Sequence, residues 1–266
     1  MNLRETEMRL FACAVSLAAT LALAACVGGG GPPKPNKRQI EIIDRVLAGA
    51  PGAAQPSTIV AVELAFSRAA RERGQWSAFR LFAAPGALLH GDSGPFLIEP
   101  WLATQTDPPE AAQWQPRTVV MSCDGALAVS QGRYRDPDGT VGNFFTVWER
   151  QPTGEYRYVF EAGDADVPQP PRRKEIEARP GDIVVTEIDA VQGLLATCPR
   201  GGAGIPPPPA IPVGEEGKAD ARLSRDGTLR WRWEHRADGT RFAAADYFHQ
   251  GRWLTAIEQS LVPTAD

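Results

Sequence analysis

The sequence predicts an α+β fold: helices first, then a long antiparallel meander, then a second β-rich segment. Two observations carry this. Between 57 and 83, apolar residues recur at helical spacing, the pattern of helices with one buried face. From Trp114 onward the chain changes to short β-rich runs separated by Asp-Gly and other turn residues at regular intervals, the pattern of successive hairpins.

The elements follow in order. Gln39 to Ala48 is expected to form a short helix with Ile40, Ile43 and Leu47 on one face, and Ala50 to Pro56 breaks it. Ser57 or Thr58 caps a second helix to about Arg73, with Ile59, Val62, Phe66, Ala69 and Ala70 as its buried stripe and Gly74 as its stop. Gln75 to Ala83 makes another helix with Trp76, Phe79 and Phe82 facing inward. After the Pro85-Gly86 turn comes a short strand, Ala87 to His90, and Pro100 suits the first turn of a small helix carrying Trp101 and Leu102. Strands are expected at Arg117 to Ser122, Ala126 to Arg135, Thr140 to Arg150 and Glu155 to Ala162. Asp164 to Pro180 is polar and proline-rich and reads as a linker, Ile183 to Ile188 as a strand, and Pro199 to Gly214 as a loop.

The tail is β-rich again. Asp226-Gly227, Asp238-Gly239 and Gln250-Gly251 separate four short strands. Leu229, Trp231, Trp233 and His235 alternate with Arg230, Arg232, Glu234 and Arg236, a period of two with one apolar and one charged face. The charged face reads as solvated sheet surface; a basic binding strip is the sharper alternative. The tail also echoes the first meander: Asp124-Gly125-Ala126-Leu127 and Asp138-Gly139-Thr140 are answered by Asp226-Gly227-Thr228-Leu229 and Asp238-Gly239-Thr240. That is either a degenerate repeat or convergent turn chemistry.

The N-terminus reads as an address. Arg9 precedes an uncharged apolar run from Leu10 to Ala25, which ends in Leu23-Ala24-Ala25-Cys26. A basic head, an apolar stretch and small residues at the cut make a secretory signal. Met8 is an alternative start to Met1, because Glu5 and Glu7 sit awkwardly in such a head. Leu23-Ala24-Ala25-Cys26 resembles the lipobox of bacterial lipoproteins. That resemblance implies acylation of Cys26, attachment to the membrane through the lipid and, with Val27 next, an outer-membrane lipoprotein facing the periplasm. An uncleaved anchor and a plain secretory signal are the alternatives. Gly28 to Gly31 and the prolines that follow would be a flexible, then stiff, tether. The net charge of −4 gives no electrostatic footprint for nucleic acid. With Cys13 lost in the signal and Cys26 acylated, Cys123 and Cys198 remain, which suggests a disulfide in an oxidising compartment; two separate buried thiols are the other reading. No spacing resembles a metal site and no cofactor motif is present.

A family resemblance enters on Val62-Glu63-Leu64-Ala65-Phe66-Ser67-Arg68-Ala69-Ala70, followed by Trp76-Ser77-Ala78-Phe79. Pro109-Glu110-Ala111, Trp114-Gln115-Pro116, Cys123-Asp124-Gly125 and Gly142-Asn143-Phe144-Phe145-Thr146-Val147-Trp148 add to it. Over about Ser57 to Gly163 the chain resembles SnoaL-like domains of the nuclear transport factor 2-like (NTF2-like) superfamily. The resemblance implies a cone, in which a curved sheet wraps around helices and leaves an apolar pocket at the open end. It also implies that a homodimer could form through the sheet face. It brings no catalytic motif, because such folds host isomerases, cyclases and dehydratases alongside non-catalytic binding modules.

The candidate chemistry is thin. His90-Gly91-Asp92 offers an acid–base pair, although a polar loop is the plainer reading. Tyr134 joins these two as the third candidate of an isomerase-, cyclase- or dehydratase-type enzyme on a small apolar substrate. Gly91-Asp92-Ser93-Gly94-Pro95 lacks a partnered His and reads as a turn. Trp76, Trp101, Trp148 and Tyr158 are candidates to line a pocket for a small apolar ligand, or else plain core. The expected organisation is a signal peptide at 1–25, a tether at 26–37, a short helix and linker at 38–56, a cone at 57–163, a linker at 164–181 and a β-rich segment at 182–266. The expected role is a binding or structural module without catalysis. The enzyme and a protein-interaction module are its rivals.

Overall fold

The computed structural model describes residues 54–171, 190–199, 204–211 and 218–261. All belong to the second of two compact units, Val46–Asp266. Cys26, the tether, the helix expected at Gln39 to Ala48 and the strand expected at Ile183 to Ile188 lie outside the described residues.

Helix α1 (Pro56–Arg73) starts on a proline, not on the expected Ser57 or Thr58 cap. The fixed φ of proline suits the first turn, and its missing N–H is an orphan there anyway. Ile59, Glu63, Phe66 and Ala70 fall on one buried face. Gly74 ends the helix at φ 102° and donates its N–H to the Ala70 carbonyl at 3.1 Å. Helix α2 (Gln75–Phe82) follows at once, and α3 (Ile98–Ala103) comes later.

Seven strands form the first sheet: β1 (Ala83–Gly91), β2 (Gly94–Leu97), β3 (Gln113–Met121), β4 (Leu127–Arg135), β5 (Val141–Arg150), β6 (Tyr156–Ala165) and β7 (Gln192–Leu195). Their order is β2-β1-β6-β5-β4-β3-β7. β1 runs parallel to β6 and β7 parallel to β3; the remaining pairs are antiparallel. β1 and β3 begin four residues earlier than the sequence suggests. Pro85-Gly86 lies in a register break of the β1–β6 ladder, and Pro116 sits beside a break in the β3–β4 ladder. A proline at a bulge does not end a strand. β7 comes from the expected β-rich C-terminal segment, 182–266, and pairs with β3 at the edge of the first sheet.

The second sheet holds β8 (Lys218–Leu223), β9 (Leu229–His235), β10 (Arg241–His249) and β11 (Arg252–Leu261), in the order β11-β10-β9-β8. The expected turns at Asp226-Gly227, Asp238-Gly239 and Gln250-Gly251 separate them.

Three layers result. Helices cover one face of the seven-stranded sheet, where Phe66, Ala78, Leu102, Val119, Trp148 and Tyr158 form one core. The second sheet covers the opposite face, where Val129, Phe145, Val147 and Phe160 meet Trp231, Ala243, Ala245 and Ile257. The face implied for a homodimer is therefore covered by the chain's own second sheet. Alternation along β5 makes this possible: Phe145 and Val147 serve one core, Trp148 the other.

The echo between the meanders is structural. Ser122 Oγ donates to Asp124 Oδ1 at 2.6 Å, and Ser224 Oγ donates to Asp226 Oδ1 at 2.6 Å. The N–H of Leu127 reaches the Ser122 hydroxyl at 3.1 Å, and that of Leu229 reaches Ser224 at 3.0 Å. Thr140 and Thr240 each donate an N–H to the aspartate two residues back at 2.8 Å. The two first turns also touch: the Cys123 N–H donates to Thr228 Oγ1 at 3.0 Å and the Asp124 N–H to Asp226 Oδ2 at 2.8 Å. Beside them Cys123 and Cys198 form the expected disulfide, which ties the end of β7 to the β3–β4 turn.

The outer face of the second sheet corrects an expectation. Arg230, Arg232 and Glu234 are 6%, 9% and 1% exposed, so this is not a solvated surface. Asp246 on β10 accepts from Arg230 Nη2 at 2.7 Å and Arg232 Nε at 3.3 Å, and Arg232 also pairs with Glu234. The proline-rich loop supplies further acceptors: the Pro209 carbonyl takes Arg230 Nη1 at 2.6 Å, and Pro206 takes Trp253 Nε1 at 2.7 Å. Buried guanidinium groups persist when a carboxylate and carbonyls satisfy them.

Candidate functional site

An apolar cavity of about 270 Å³ lies between the helices and the sheet of the cone. Phe66 of α1 and Trp76 and Phe79 of α2 form its helical wall, Trp101 of α3 closes one side, and Trp114, Tyr134 and Phe144 of the sheet face them. The rings stand across one another: Trp76 and Trp101 are 5.0 Å apart at 82°, and Trp76 and Phe79 are 5.4 Å apart at 65°. Thr146, Glu161 and Gly163 belong to the same lining, and Asp136 follows Tyr134.

Local sequence sets this geometry. Asp107 caps α2 from a distant loop, accepting the N–H groups of Trp76 at 2.6 Å and Ser77 at 3.0 Å. That pins the turn bearing Trp76. Two glycines let sheet rings lie flat against neighbouring strands. A Cβ on Gly132 would stand 2.7 Å from the Phe144 ring, and one on Gly142 would stand 2.4 Å from the Tyr134 ring.

A polar row crosses this concave face. Ser130, Thr146 and Glu161 are cross-strand neighbours on β4, β5 and β6. Glu63 reaches down from α1, where its carboxyl takes the Ser130 hydroxyl, Trp148 Nε1 at 3.1 Å and Trp114 Nε1 at 3.2 Å. Burial raises its pKa to about 7, against the opposing hydrogen bonds. Glu161 Oε1 accepts from Thr146 Oγ1 at 2.9 Å. Burial, then the nearby Glu63, raises the Glu161 pKa well above the usual carboxylate range. Tyr134 is pushed up to about 12 by burial, then by Asp136, Asp164 and Asp166.

The sequence candidates separate. Trp76, Trp101 and Tyr134 line the cavity. Trp148 and Tyr158 are fully buried core beside it: Trp148 holds Glu63, and the Tyr158 hydroxyl donates to the Phe79 carbonyl at 2.8 Å. His90 and Asp92 are elsewhere. His90 lies at the junction of the two sheets, packed on Phe160 and Trp233, with Nε2 3.3 Å from His235 Nδ1. Its pKa is lowered to about 3 by burial, then by Arg241 and His235. Asp92 is exposed and pairs with Arg241 at 3.2 Å rather than with His90. The carboxyls at the cavity, Glu161 and Asp136 in its lining and Glu63 behind it, escaped the sequence reading. Glu63 is a charged residue on the otherwise apolar stripe of α1, which is a readable signal.

A larger groove of about 1100 Å³ lies on the other side of Trp114 and Tyr134, with a polar lining that includes Arg71, Gln131 and Arg133. Arg133 is committed to Asp166 and Arg71 to Ser67, and the smaller cavity is the more apolar of the two, so it is the stronger site for an apolar ligand. Among the described residues no group of three or more His, Cys, Asp or Glu is placed to hold a metal ion.

No protein-family model matches the chain, and no curated protein does. Among solved structures the chain is similar to an NTF2-like protein of unknown function from Pseudomonas putida KT2440, with 16% identity, a TM-score of 0.32, and 42% of this chain and 86% of that one covered.

Proposed function

We propose that this protein is a binding module for a small, mostly apolar molecule, held in the cone and carried at the cell envelope by a lipid on Cys26. The observation that carries the binding reading is the aromatic cavity with the Glu161 carboxyl in its lining. Such pockets, apolar with a few convergent polar groups, are the usual form of a small-molecule site. Lipobox-like Leu23-Ala24-Ala25-Cys26 supports the envelope reading, and a disulfide suits an oxidising compartment.

Filling the cavity tests the binding reading. Ala112 lines it and is buried, so Ala112→Phe places a ring in the ligand's space. Ligand recovered from the purified protein, detected by mass spectrometry, is expected to be lost from this variant while its circular dichroism stays unchanged. Equal recovery from both proteins would move the site elsewhere. The anchor is checked separately: Cys26→Ser should shift the protein from the membrane to the soluble fraction, and an unchanged distribution would refute it.

A further inference from the structure

We propose that the ligand of the cone is an organic cation, an alkylated amine or quaternary ammonium group on a small apolar body, received by the aromatic walls and by the carboxylate of Glu161. The proposal rests on the binding reading above and names the class of molecule.

The walls argue first. Trp76, Phe79, Trp101 and Trp114 present rings from three elements, and the first three cross at steep angles. Rings lining a small space can offer a cation their negative π faces, in addition to the apolar burial that a hydrocarbon gains as well.

Charge argues second. Glu161 and Asp136 belong to the lining, with Glu63 behind, and among the described residues of that lining there is no Lys, Arg or His. An anion would find no counter-charge there. A pure hydrocarbon would desolvate the Glu161 carboxyl and offer it nothing in return. A cation offers that carboxyl a counter-charge.

The remaining rival is a carbonyl ligand that accepts a proton from a neutral Glu161. The two differ in the sign of their pH dependence. Glu161 is faced by Glu63 from α1, by Tyr158 on its own strand and by Tyr134 and Asp136 in the shared lining. In the empty cone these surroundings keep it protonated beyond the usual range. A cation must displace that proton, so its affinity rises with pH and binding releases a proton. A carbonyl needs the proton, so its affinity falls with pH.

The test uses the purified full chain and two probes of nearly equal shape, phenyltrimethylammonium and tert-butylbenzene. Binding is followed by tryptophan fluorescence and by calorimetry in buffers of different ionisation enthalpy. The expected result is a cation bound about tenfold more tightly than the hydrocarbon, tightening from pH 6 to pH 8 with proton release. Glu161→Gln should lose about that factor for the cation and leave the hydrocarbon unchanged. Hydrocarbon binding as tight as the cation's, or cation affinity falling with pH, overturns the proposal while the binding reading stands. Binding of neither probe, with no ligand recovered from the native protein, brings down both. If Glu161→Gln does not fold, the wild-type pH trend decides alone.

Discussion

Three buried titratable residues pull stability in opposite directions with pH. Glu63 and Glu161 hold protons in the fold that the unfolded chain releases from about 4.5 upward, so their contribution fades as pH rises, for Glu63 through about 7. His90 stays neutral in the fold down to about 3, while the unfolded chain protonates it from about 6.5 downward, so its contribution fades as pH falls. Between pH 4.5 and 6.5 two losses meet one gain, and above 6.5 only the carboxyls still titrate. The melting temperature should therefore fall as pH rises from about 5 to about 8, and Glu63→Gln should flatten that fall; a melting temperature that climbs across the window would refute the assignment. Little of this was legible in the sequence. His90 beside Asp92 looks like a catalytic pair, yet it fills a sheet–sheet junction, because position 90 points away from the helices. Glu161 was hidden by a register break between Val147 and Trp148 in the β5–β6 ladder, which breaks the period-two reading that assigns faces.

Secondary elements were more readable than the side chains that steady them. The helices at 57–73 and 75–83 and the hairpins at the Asp-Gly turns follow from local pattern alone. The cap of α2 does not, because Asp107 is about thirty residues from the N–H groups it accepts. Asp107→Ala should cost about 1 kcal/mol, the usual value of an N-terminal cap, read from the urea midpoint. It should also loosen Trp76 and weaken ligand binding. Unchanged stability would mean that packing alone holds this turn. Gly132 and Gly142 lie inside expected strands, and nothing in the local pattern marks them as ring seats. Gly142→Val should be worse than a propensity loss, since its Cβ would also stand 2.2 Å from the Asp164 carbonyl oxygen; a variant as stable as wild type would contradict that contact.

The described residues form two meanders packed back to back, and among them only the first carries helices. A chain cut after Cys198 would bare Val129, Phe145, Val147 and Phe160 on one side. That is a contiguous apolar face of the kind that drives aggregation. Such a truncation should express as insoluble protein, and a soluble monomer would show that the first sheet tolerates an open back. The layering could not be read from the sequence, because Asp-Gly turns report hairpins and not which sheet faces which. The matching turns, Ser122 to Leu127 and Ser224 to Leu229, have a last consequence. The partner that covers the sheet arrives on the same polypeptide, held by a bridge across 75 positions and by hydrogen bonds between the two turns. Closing that face is a unimolecular event at a fixed effective concentration. It does not depend on the protein's concentration, so the burial survives any dilution.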